Sequence, residues 1–105
     1  MKGFLFVDND KIGEVDFKIV DETMGGIGGQ LKTNGNYKKY QNIIQQNCND
    51  QGISHARNLN FRIIVKENIE LYPVGGIGVI DIAEYDEIYV ELSGVDLSSL
   101  EINNK

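Results

Sequence analysis

The word Gly-Gly-Ile-Gly is written twice in this 105-residue chain, at 25–28 and at 75–78, and Gly29 extends the first copy. The two runs use seven of the twelve glycines: Gly25, Gly26, Gly28, Gly29, Gly75, Gly76 and Gly78. Glycines in this arrangement permit positive φ, bulges and close approach of two backbones. They also invite a phosphate-binding reading, which the flanking residues test. A dinucleotide loop needs G-x-G-x-x-G between a strand and a helix, because the pyrophosphate must meet the helix N-terminus. Counted from Gly26 the third glycine position holds Leu31, and counted from Gly76 it holds Asp81. Both runs lead into strand-like sequence, and neither ends in the Gly-Lys-Ser/Thr of a P-loop. The expectation is therefore a backbone role: two extended segments beside strands, with Ile27 and Ile77 buried and at least one glycine at positive φ or in a bulge. In the register that aligns the two runs, Val15 with Val65 and Ile19 with Ile69 are almost the only other matches, which is thin support for duplication.

Period-two alternation sets the rest of the fold. Residues 2–8 and 13–20 read as strands joined by the turn-rich "DNDKIG", a β-hairpin; in the second, Val15, Phe17 and Ile19 alternate with Glu14, Asp16 and Lys18. "GQLKT" after the first glycine run is a short third strand. Residues 60–73 form a second hairpin around "KEN", with Phe61, Ile63 and Val65 inward, Leu71 across from them, and Pro73 closing the strand. After the second run come "VIDIAEY" and then 87–94, where Ile88, Val90 and Leu92 alternate with Glu87, Tyr89 and Glu91. One helix is predicted, at about 36–50. Tyr37, Tyr40, Ile44 and Cys48, with Ile43 beside them, share a face, Asn36 caps the start, and Gly52 ends it in a left-handed conformation. The class is α+β: a mainly antiparallel sheet of five to seven strands with one amphipathic helix packed on one face. Residues 1–100 make a single compact domain and 101–105 a short polar tail.

Charge is distributed unevenly. Residues 1–66 carry nine Lys or Arg against seven Asp or Glu; residues 67–105 carry one Lys against nine acids, so the net −6 belongs to the C-terminal third. A phosphate backbone is repelled by such a surface, which argues against nucleic acid as a partner. The four apolar residues ahead of Asp8 are too few for a signal peptide or a membrane span, and one cysteine allows no internal disulfide, so a cytoplasmic protein is expected.

Three further constellations bear on chemistry. "DNDKIGEVD" places Asp8, Asp10 and Gly13 at EF-hand positions, but Ile12 and Ile19 stand where ligands are needed, so an Asx-rich turn is favoured and no metal is expected. Cys48 and His55, the lone thiol and imidazole, make a conceivable nucleophilic pair. However, Cys48 lies in the apolar stripe of the helix and behaves there as a small hydrophobe. Asp81, Glu84, Asp86, Glu87 and Glu91 offer carboxylates for acid–base chemistry, for a metal, or simply for solvation. The strand pattern sets Glu87, Tyr89 and Glu91 on one outward face. An outward tyrosine among acids suits a protein partner, since it supplies contact area at low entropy cost. The candidate partner surface is thus Glu84, Asp86, Glu87, Tyr89 and Glu91, directed at another protein with a basic surface. The function expected is a small intracellular, non-enzymatic interaction module that uses no cofactor: an inhibitor, an immunity-type protein or an adaptor. The alternatives are a small-ligand binder built on the glycine segments and an enzyme with a carboxylate site.

Overall fold

The computed structural model describes residues 1–55 and 59–100; the polar tail assigned to 101–105 lies outside them. Eight strands form: β1 (Lys2–Val7), β2 (Asp10–Asp16), β3 (Lys18–Asp21), β4 (Gly26–Thr33), β5 (Phe61–Val65), β6 (Ile69–Leu71), β7 (Ile77–Ile80) and β8 (Tyr89–Leu92). They build one curled sheet in the order β6-β5-β1-β2-β4-β8-β7, with β3 paired to β4, and every pairing is antiparallel. β2 and β3 lie along the same edge of β4: β2 opposes Leu31–Thr33 and β3 opposes Gly26–Gly28. They act as one strand bent at Phe17, whose side chain is fully buried. The predicted α+β architecture is the one found.

The β1–β2 hairpin takes a turn its Asx residues favour, whereas the β5–β6 turn sets a glutamate as well as an asparagine in the left-handed region. β1 and β2 close through Asp8 and Asn9, with Asp8 at φ 54°. β5 and β6 close through Lys66–Asn68, where Glu67 (65°) and Asn68 (59°) are both left-handed, the backbone sense that matches the twist of paired strands. Along the strands alternate side chains enter one core: Leu5 and Val7, Phe61, Ile63 and Val65, Val90 and Leu92; in β2 a bulge opposite Leu5 and Phe6 brings Ile12 inward as well as Val15.

The helix departs from expectation at its start. Residues Gly35–Lys39 form a 3-10 turn, and α1 runs Gln41–Gln51. Asn34, not Asn36, is the capping residue: its Oδ1 accepts the Asn36 N–H at 2.9 Å, while the Asn34 and Asn36 side-chain amides both donate to the Lys11 carbonyl. Those bonds fasten the entry to β2. The C-terminus is as predicted, with Gly52 at φ 83° and its N–H on the Cys48 carbonyl at 2.7 Å. Tyr37, Ile44 and Cys48 are buried and Tyr40 is partly buried, but Ile43 sits off the packed face and is 40% exposed. α1 covers the inner face of the sheet; among the described residues no helix covers the outer one, and none is long and apolar enough to cross a membrane.

Candidate functional site

β8 is flanked on both sides by a glycine run, in the same register. Ile27, Leu92 and Ile77 form one cross-strand row; Gly28, Glu91 and Gly78 form the next; Gly29, Val90 and Val79 follow. The repeated word is thus two neighbours of a single strand. Ile27 and Ile77 are buried as expected, and each run is entered through a left-handed glycine, Gly25 (φ 63°) and Gly76 (φ 87°). In both runs the glycine after the isoleucine faces outward, and a side chain of the protein lies across it. A Cβ at Gly28 would meet the Tyr89 ring, with Cε2 at 2.9 Å; one at Gly78 would collide with Ile53 and come within 3.5 Å of His55.

Ile53 and His55 reach that position because Ser54 forms a bridge to the free edge of β7. Its N–H donates to the Val79 carbonyl at 2.8 Å, and Val79 returns the bond at 2.9 Å. Ser54 is buried, so its two neighbours point outward.

Two concavities flank the outward side chains of β8. One is a groove of about 610 Å³, bordered by Tyr89 and by Lys2, Lys18 and Lys32 above a floor of Gly28 and Gly29. Lys2 is paired with Glu14 at 3.2 Å and the N-terminal ammonium with Asp16 at 3.1 Å. Burial, and secondarily the charge of Glu91, raises the Tyr89 hydroxyl above the ordinary tyrosine value. The second is a cleft of about 190 Å³ to which both glycine runs contribute, with Glu91, Asp21, His55 and Ser93 on its walls.

The five residues singled out as a partner surface fall in two consecutive segments, the loop before β8 and β8 itself. Glu84, Asp86 and Glu87 are exposed on the loop between β7 and β8, beside Tyr85, which is 68% exposed. β8 begins at Tyr89, so Glu87 precedes the strand rather than extending its outer face. Tyr89 is half-buried and has lysines as well as Glu91 for neighbours, whereas Glu91 is exposed and faces the cleft. The outer-face pairing of Tyr89 with Glu91 is as read from the alternation.

Asp81 turns inward. It is 2% exposed, and its carboxylate accepts the Tyr37 hydroxyl at 2.7 Å, the Gln45 amide at 3.1 Å and the Gln41 amide at 3.3 Å. Its N–H donates to Cys48 Sγ at 3.3 Å, and that thiol donates to the Val79 carbonyl at 3.4 Å. Burial first, then the bond to Asp81, raises the Tyr37 hydroxyl far above its ordinary value. Both carboxylate oxygens are committed, so Asp81 is a clamp joining β7 to the helical segment. The spacing of Tyr37, Gln41 and Gln45, four residues apart, was the available signal for this lane of donors.

Cys48 and His55 do not meet. Cys48 is buried beneath β7, and His55 is exposed on the opposite, outer face. The Asp8–Asp10 segment is spent on protein donors. Asn60 Nδ2 donates to the Asp8 carboxylate at 3.2 Å, and Tyr40 and Lys39 reach Asp10 at 2.8 and 3.1 Å, holding its carboxyl below the usual range. Among the described residues no three His, Cys, Asp or Glu side chains converge as metal ligands. Compared with protein families, curated proteins and solved structures, the chain matches none.

Proposed function

We propose that this protein is a small non-enzymatic interaction module of the cell interior, an inhibitor, immunity-type protein or adaptor. Its binding surface is the outer face of β8 together with the acidic 84–87 loop that precedes that strand. The observation that carries the reading is the row Gly28–Glu91–Gly78. Glycine on either side lets the Tyr89 ring lie across β4 and Ile53 across β7, with Glu91 exposed between them. A half-buried tyrosine beside an open carboxylate is a good anchor: its ring is already ordered, and its hydroxyl makes no hydrogen bond among the described residues. Three exposed acids on the adjoining loop favour a partner with a basic surface, by steering its approach. The carboxylates give little support to an acid–base enzyme, since Asp81 is fully hydrogen-bonded in the interior and Glu84 and Asp86 face solvent.

One observation favours the small-ligand reading: glycines of both runs line a common cleft. Its 190 Å³ falls below the roughly 300–1,000 Å³ typical of sites that enclose a drug-sized molecule. The interaction reading therefore ranks first. Its test is affinity capture from the source cell with wild type, Tyr89→Ala and the double variant Glu87→Lys/Glu91→Lys. Loss of an interface anchor weakens capture by about tenfold or more. A partner held equally by all three proteins contradicts this placement of the surface.

A further inference from the structure

We infer that the cleft between the two glycine runs receives the side chain of an arginine or lysine from the protein partner. The inference rests on the interaction reading above and adds the chemistry of the contact.

The walls of the cleft carry two carboxylates, Asp21 and Glu91, together with the Ser93 hydroxyl and the His55 ring; among the described residues no Lys or Arg lines it. The lysines on this half of the sheet, Lys2, Lys18 and Lys32, border the other groove instead. Glu91 makes no hydrogen bond or ion pair among the described residues, and Asp21 uses only Oδ1, which accepts the Met24 N–H at 3.1 Å. Both carboxylates thus keep acceptor capacity facing a space that no Lys or Arg among the described residues lines. The rim is apolar and unusually bare: Val20 is 58% exposed and Met24 64%. A cationic head on an aliphatic stem matches this pattern, with the stem on Val20 and Met24 and the head at the carboxylates. Size points the same way, since a cleft of about 190 Å³ is scaled to one long side chain rather than to a nucleotide or sugar. At Gly76 no heavy atom of the described residues other than its chain neighbours lies within 4 Å of where a Cβ would stand, so a partner backbone can come close to that wall behind the side chain.

The test is a titration of isotope-labelled protein, followed by amide shifts, with N-acetyl-arginine amide and with its neutral isostere N-acetyl-citrulline amide. The expected result is saturable shifts at Gly26, Gly76, Gly78, Glu91 and Ser93 with the arginine probe. Its affinity should exceed that of the citrulline probe by about fivefold, the upper end for an exposed ion pair. Glu91→Gln, an exposed position, removes the preference, whereas Asp50→Asn on the far helix retains it. Equal response to the two probes, shifts centred elsewhere, or a preference that survives Glu91→Gln each overturns the inference. If the probe fails at the cleft while Tyr89→Ala still releases the partner, the cleft assignment alone is wrong. If the probe seats as described but Tyr89→Ala and Glu91→Gln leave the partner bound as before, the interaction reading of this face is wrong.

Discussion

At the scale of single residues, Asp81 is the side chain whose environment departs most from what its type would suggest. A carboxylate taken out of water costs several kcal/mol unless its acceptor sites are filled. Here Tyr37, Gln41 and Gln45 fill them, each bond to an ionised acceptor contributing on the order of 1.5–3 kcal/mol. Asp81→Asn keeps the shape but turns one acceptor into a donor that faces other donors. The predicted loss is about 2–3 kcal/mol, read as a lower urea midpoint with unchanged m-value; an unchanged midpoint contradicts the clamp. Tyr37 gives the same structure a pH signature. Its folded value is raised, by burial and then by Asp81, so its contribution is complete below the ordinary tyrosine value of about 10 and is lost as pH climbs past it. Denaturation series between pH 8 and 11.5 should show stability falling above pH 10 in wild type and falling less steeply in Tyr37→Phe. Equal slopes contradict the assignment.

At the scale of elements, period-two alternation was enough to find the strands, because a half-buried sheet writes its two faces into every second residue. Val15 and Phe17, Phe61 and Ile63, Val90 and Leu92 are all buried as their pattern requires. The helix start was less legible because its geometry is fixed from outside: the Asn34 and Asn36 amides bind Lys11, which is distant in sequence. The glycine words pointed to backbone roles, but not to a shared neighbour, since only the pairing of β4 and β7 with β8 aligns them. The cleft was illegible for the same reason, being assembled from Asp21, His55, Glu91 and both runs. One element carries visible strain, the β5–β6 turn, where Glu67 holds φ 65° without the short side chain that tolerates it. Glu67→Asn should stabilise the protein by on the order of 0.5–1 kcal/mol, seen as a higher thermal midpoint. A lower midpoint would mean that the glutamate makes a compensating contact.

At the scale of the whole molecule, the sheet divides its labour between two faces. The inner face carries the core and α1. The outer face of β4, β8 and β7 carries glycines, a half-buried tyrosine and the exposed carboxylate of Glu91, with lysines on one flank and acids on the other. Neither side of that face is a strong field alone, which fits recognition of a specific partner better than non-specific attraction to a charged polymer. The most direct test of this account is the affinity of the captured partner for wild type and for Tyr89→Ala, both checked to be folded, at one ionic strength. Tyr89→Ala should bind about tenfold or more weakly; an affinity unchanged within error would contradict this placement of the surface.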